Sequence, residues 1–131
     1  MELHLKIIGI LLILLALLHI PFPKYFKWSL ELKTLSLINR QMMITHTFFI
    51  ALTIFLMGLL CLTCSKALIT TILGQKIALG FGIFWSVRLF FQFFVYSTKL
   101  WKGKLFETIM HILFSILWTY FAIIFLLIFF K

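Results

Sequence analysis

The stretch Ile77–Ser97, IALGFGIFWSVRLFFQFFVYS, decides how this chain is read. Its 21 residues carry one charge, Arg88, in a run otherwise apolar enough to enter a bilayer. At 1.5 Å per residue an α-helix needs about 17–25 such residues to cross the ~30 Å hydrocarbon layer. An arginine at mid-helix costs about 2.5–3.5 kcal/mol on insertion scales, so it turns toward a partner inside the protein or toward a water-filled cavity. The segment predicts a transmembrane helix and marks where something polar is held.

Working outward, the whole chain has the same character. Of its 131 residues 64% are hydrophobic and 11% charged, with seventeen Phe and three acidic side chains, and its mean hydropathy is +1.20. A water-soluble domain needs more charge to cover its surface, so that class is excluded. Three more runs reach spanning length: Leu3–Ile20, closed by Pro21-Phe22-Pro23, then Ile44–Cys64 and Leu105–Phe130. They lack the alternation of barrel strands, and in lipid only helices or closed barrels satisfy every backbone group. The expected fold is all-α: a polytopic four-helix transmembrane bundle forming one domain over residues 1–131. Lys6 followed by Ile7–Leu18 has the layout of a signal peptide, but His19-Ile20-Pro21-Phe22-Pro23 offers no small-x-small cleavage site. The first run is therefore expected to stay as a membrane anchor.

The connections carry the charge. Phe22–Met43 mixes Tyr25, Phe26, Trp28 and spaced leucines with Lys24, Lys27, Lys33 and Arg40. It reads as an interfacial amphipathic helix or as a loop whose lysines fix topology. Between the second and third runs, Ala67–Gly74 reads as a short interfacial element or as a backward extension of the third helix. Lys24, Lys27, Lys33, Arg40, Lys99, Lys102 and Lys104 fall on one side, and Lys6, Lys66, Lys76 and Lys131 on the other. By the positive-inside rule the first side is cytoplasmic, which places the chain in a bacterial inner membrane with both termini outside the cytoplasm. The net charge of +9 then signals topology and anionic lipid; a nucleic-acid partner would want a solvated basic domain.

Polar groups converge on that half of the bilayer. His19 and His46 lie near the edge, Gln92 about 7 Å in, His111 about 9 Å in and Arg88 about 13 Å in. At about 100° per residue they form stripes: Trp85, Arg88, Gln92 and Tyr96; Thr108, His111, Ser115, Trp118 and Ala122; His46, Thr53 and Met57. Such stripes line a shared cavity or supply interhelical hydrogen bonds, and for Ser115, Thr53 and Trp118 the second reading is preferred. Arg88 lacks an acid within the embedded segments, Glu107 lying roughly 10 Å shallower. Gln92 with backbone carbonyls could satisfy it. So could an anion or polarised carbonyl from outside the chain: a lipid phosphate, isoprenoid pyrophosphate, carboxylate or quinone.

Other chemistry is weaker in the sequence. His46 and His111 could hold haem as axial ligands, but their expected depths differ by about 6 Å. No H-x-x-H or E-x-x-H spacing supports a metal site. Cys61 and Cys64 spell C-x-x-C at the end of a helix, where the dipole disfavours a thiolate, so they read as packing residues. Ala78, Gly82 and Ser86 recur every four residues, a pattern that lets helices approach closely within one chain or between two copies.

The run Phe84-Trp85-Ser86-Val87-Arg88-Leu89-Phe90-Phe91-Gln92-Phe93-Phe94-Val95-Tyr96, with His46 early in the second helix and His111 early in the fourth, resembles a pattern in small uncharacterised bacterial four-helix membrane proteins. The resemblance implies an architecture and a shared polar face, and no reaction. The expected function is a ligand-binding or accessory subunit with an intramembrane polar pocket. In it Arg88 holds an anionic or polar lipid-soluble ligand, Gln92 orients it, His111 and His46 hydrogen-bond or shuttle protons, and Trp85, Tyr96 and Trp118 form walls. Its partners would be membrane lipids and a larger membrane enzyme or further copies of itself. A haem- or quinone-binding redox subunit, a small lipid-modifying enzyme using His111 as base, and a purely structural subunit are the alternatives. No nucleophile–base pair or phosphate loop is visible.

Overall fold

The computed structural model describes residues 1–95 and 103–130, and every regular element among them is helical. Among the described residues three helices are long and apolar enough to cross a membrane: Leu37–Thr63, Ile72–Phe94 and Leu105–Phe130. The first helix, α1 (Glu2–Leu18), has 17 residues. That is about 26 Å at 1.5 Å per residue, short of the ~30 Å hydrocarbon layer. Large apolar side chains stand outward along the long helices, including Ile72, Phe94, Leu105 and Phe130, each more than 70% exposed. Apolar surface on this scale marks contact with something other than water. The chain has the make-up of a membrane protein.

Local sequence sets the breaks. α1 stops at Leu18, and Pro21 and Pro23 then occupy the start of a one-turn helix α2 (Phe22–Tyr25). A first turn tolerates proline, whose missing N–H would find no intrahelical partner there. A second turn, α3 (Trp28–Glu31), follows Lys27, and a 3-10 turn spans Leu32–Thr34. Of the two readings of Phe22–Met43, an interfacial amphipathic helix or a loop, residues 22–34 follow neither simply: they form a series of single turns, with a left-handed Lys27 (φ 54, ψ 47) between the first two.

Helix α4 (Leu37–Thr63) begins at Leu37 rather than Ile44, because the Ser36 side chain accepts from the Asn39 N–H and caps it. Arg40 and Met43 are thus helical. Ala67–Gly74 divides between the two readings: α5 (Ser65–Thr70) is a separate short helix that ends at an extended Thr71, whose hydroxyl accepts from the Gly74 N–H at 2.9 Å, and α6 (Ile72–Phe94) starts ahead of the expected Ile77. Gly74 sits so close to the Ala67 carbonyl that a Cβ would collide with it. α6 is capped at Val95, short of the expected Ser97, whereas α7 (Leu105–Phe130) keeps the expected bounds.

The chain packs as two compact units, residues 5–65 and residues 1–4 with 66–131. In the first, α1 and α4 touch through glycine: a Cβ on Gly9 would lie 2.8 Å from the Gly58 carbonyl oxygen, and one on Gly58 would lie 2.8 Å from that of Gly9. Leu12, Ile13 and Leu62 close around this crossing. In the second unit α6 and α7 lie side by side as an antiparallel pair. Their seam holds Ala78, Trp85, Phe121 and Phe125, all essentially inaccessible. Gly82 lies against Leu126, its added Cβ 2.7 Å from Leu126 Cδ2. Of the two uses open to the small-residue stripe, packing within the chain is the one seen at Gly82.

Candidate functional site

Five of the seven candidate residues meet on the α6–α7 seam. Trp85 and Trp118 stack at 4.8 Å between ring centroids, 19° from parallel, and Phe121 meets the Trp85 ring edge-on at 5.1 Å. Phe114 stacks on Trp118 at 5.4 Å. The Arg88 guanidinium carbon lies 5.4 Å from the centroid of Trp118, within cation–π range. That attraction is worth about 0.5–2 kcal/mol, the larger value applying away from water. The guanidinium is half-buried, at the margin of the aromatic stack.

Toward the Lys104 end, Gln92 and His111 form the polar pair of the seam. Gln92 Nε2 lies 3.1 Å from His111 Nδ1 and 3.4 Å from the His111 carbonyl oxygen. A carbonyl only accepts, so the amide nitrogen faces it, and the second amide hydrogen is donated to Nδ1. In that orientation Nδ1 is the acceptor, and the ring N–H is the one on Nε2. Ser115 also donates to the His111 carbonyl, at 2.7 Å. Gln92 is 93% buried, and its amide nitrogen is satisfied by one residue of the facing helix.

One buried donor has no such partner: Trp118 Nε1 finds no hydrogen-bond acceptor among the described residues, in a residue 4% exposed. An unmet buried N–H costs about 1–3 kcal/mol, which an acceptor arriving from outside would recover. Guanidinium and indole N–H are both donors, and Gln92 gives its amide hydrogens to His111. The chemistry on offer is recognition of an acceptor.

The expected depth of Arg88 changes with the helix boundary. From Phe94 it is six residues in, about 9 Å rather than 13 Å, within easier snorkelling reach of the interface. His46 lies on α4, in the unit of residues 5–65, with an exposed side chain. Tyr96, like Lys99 and Lys102 of the expected Ser97–Lys104 loop and Lys131, falls outside the described residues. The expected interhelical hydrogen bonds of Thr53 and Ser115 are not what their hydroxyls make. Each donates back to its own helix, to Phe49 O at 2.8 Å and His111 O at 2.7 Å, the usual local solution for a hydroxyl with no other acceptor near. Cys61 is buried and Cys64 half-buried, both as free thiols.

Two contacts had no signal in the sequence. Tyr120 hydroxyl and His4 Nδ1 hydrogen-bond at 2.7 Å, and His19 Nδ1 donates to the Leu15 carbonyl at 2.8 Å, closing the last turn of α1. The pairing of Trp85 with Trp118 and of Gln92 with His111 had a visible signal. Trp85 and Gln92 are seven residues apart, as are His111 and Trp118, so both pairs fall on one seam of an antiparallel hairpin. An open depression of about 410 Å3, lined by Phe93, Ser115, Ile116, Thr119, Tyr120 and Ile123, is a different place. Phe93 is about 140° around α6 from Arg88, and the Ser115 and Thr119 hydroxyls are committed to their own helix.

No protein-family model, curated protein or solved structure matches the chain.

Proposed function

We propose that this chain is a four-helix integral membrane protein, α1 supplying the fourth span, that binds an anionic or strongly polarised lipid-soluble molecule at Arg88. It would act as an accessory or ligand-binding subunit beside a larger membrane enzyme or further copies of itself. The lysine distribution supports placement in a bacterial inner membrane with both termini outside the cytoplasm. The observation that carries the reading lies on the seam: the buried Trp118 N–H finds no acceptor among the described residues, and the Arg88 guanidinium lies 5.4 Å from the centroid of the same ring. A phosphate, carboxylate or quinone carbonyl would accept from that N–H, and the first two would also meet the guanidinium charge.

The rival readings fit the seam less well. Axial ligation of haem through His111 Nε2 requires the proton on Nδ1, yet Nδ1 receives a hydrogen bond from Gln92. A general base at His111 would work through Nε2, which carries the proton in this tautomer. A purely structural subunit would use Arg88 to hold the seam together and would leave the buried Trp118 N–H unexplained.

The test is mass spectrometry of molecules retained through gentle extraction, comparing wild type with Arg88→Gln and Trp118→Phe. We expect one class of acidic or quinone-like molecule to fall at least tenfold in Arg88→Gln and severalfold in Trp118→Phe, with helical content unchanged. An identical retained set in all three proteins would end the proposal.

A further inference from the structure

The connection between α1 and α4 is a built surface, separate from the Arg88 seam. Its rings organise one another: His19 and Phe22 lie 4.7 Å apart, Phe22 and Phe26 5.5 Å, and Tyr25 and Phe26 4.9 Å. His19 is itself tied to the last turn of α1 by its bond to the Leu15 carbonyl. Despite this order, Tyr25 is 57% exposed and Phe26 50%. Lys24, Lys27 and Lys33 are exposed on the same short stretch, against a single acid, Glu31.

Lys27 occupies the left-handed region, which non-glycine residues visit sparingly. The conformation persists because the Lys27 carbonyl takes the first hydrogen bonds of α3, from Leu30 N at 3.0 Å and Glu31 N at 2.8 Å. The result is a corner between two helical turns rather than a slack loop. It lies next to the start of α4, a span whose first residues, Leu37 and Ile38, are more than 60% exposed. That is where a headgroup layer meets the acyl boundary. Aromatic rings favour this boundary, and ammonium groups favour the phosphates just above it.

We propose that the Phe22–Leu35 corner binds anionic phospholipid headgroups, with Lys24, Lys27 and Lys33 on the phosphates and Tyr25 and Phe26 seated at the acyl boundary. Charge complementarity selects the occupant: three ammonium groups against one carboxylate favour a lipid with net negative charge over a zwitterionic one. The surface is independent of the Arg88 ligand, since none of its residues lies on α6 or α7.

The experiment reconstitutes the full chain in phosphatidylcholine bilayers and follows spin-labelled phosphatidylglycerol and spin-labelled phosphatidylcholine by the immobilised fraction of each. Wild type should hold phosphatidylglycerol severalfold more strongly, a lysine at the surface being worth about a fivefold preference, and added salt should reduce the ratio. The triple variant Lys24→Gln, Lys27→Gln, Lys33→Gln should lose at least half of the selectivity. The matching triple Lys→Arg variant should keep it, and so should Arg88→Gln, which separates this surface from the seam. Selectivity unchanged in the triple Gln variant, or lost equally in the triple Arg variant, would overturn the proposal.

Discussion

The two units each bring a pair of helices together at glycine, yet they do so for different ends. At the α1–α4 crossing the atoms that meet are backbone, with the carbonyls of Gly9 and Gly58 each 2.8 Å from where the other's Cβ would stand. At the α6–α7 seam Gly82 admits the side chain of Leu126, and the same seam carries two stacked tryptophans, a guanidinium and a glutamine–histidine pair. Close backbone approach supplies adhesion through dispersion, the force left to helices whose surroundings are as apolar as their own surfaces. A seam propped by large rings keeps polar groups between helices. The first arrangement is economical for holding a fold, and the second leaves room for recognition.

That contrast is most sharply tested at the glycines. Gly58→Val drives two branches into the Gly9 carbonyl, the Leu12 Cβ and Ile13, none of which is the free end of a flexible chain except in part Ile13. Overpacking of this kind costs about 1–3 kcal/mol, and here the upper end is expected. Gly82→Ala meets Leu126 Cδ2 and Cγ most closely, a side chain able to rotate away, with the Leu126 backbone N farther off at 3.3 Å, so its cost should stay near the lower end, about 1 kcal/mol. Unfolding of both variants in the same micelle by steric trapping measures the difference. Equal losses would remove the distinction between a backbone crossing and a side-chain seam.

The polar half of the seam gives a smaller effect. Gln92→Leu removes the donor that holds the His111 tautomer and should cost about 0.6–1.7 kcal/mol, the range of hydrogen bonds between membrane helices. The more telling readout is spectroscopic. Imidazole 15N shifts of His111 should report a proton on Nε2 in wild type and a mixture of tautomers in Gln92→Leu. A wild-type His111 carrying its proton on Nδ1 would contradict the amide orientation on which the donor-rich reading rests.

Much of this was legible in the chain, for reasons that differ by residue. Leu105–Phe130 was readable end to end because Lys104 and Lys131 bracket an uninterrupted apolar run. The start of α4 was not, because hydropathy reports where lipid ends and not where helix ends. Ser36 caps a turn that runs through polar Asn39, Arg40 and Gln41 before the apolar stretch begins. Thr71 hid the break between α5 and α6 for a related reason: the stop is a hydroxyl cap inside an apolar sequence, with no proline to announce it. On the seam, heptad spacing joined Trp85 to Trp118 and Gln92 to His111. It could not say that Ser115 and Thr53 would bond within their own helices, since that choice depends on whether an acceptor on another helix comes within reach. The Gly9–Gly58 crossing went unread because each helix contributes a single glycine, without a repeat to draw notice.

The smallest effect is expected at Tyr120, where the two kinds of packing can be compared with a third. Its hydroxyl bonds to His4 at 2.7 Å, linking the first turn of α1 to the middle of α7 by one exposed hydrogen bond, with neither the glycine contact nor the ring stack that hold the other helix pairs. The His4 ring also meets the Tyr120 ring at 5.9 Å, a contact that phenylalanine would preserve. Tyr120→Phe therefore deletes only the polar link and should cost about 0.6 kcal/mol, the average for such a bond in a membrane protein. Amide exchange should locate the loss in residues 2–6, leaving the α6–α7 seam as protected as before. A loss that spread along α7 to Trp118 would mean that this single bond, rather than the aromatic stack, sets the geometry of the seam.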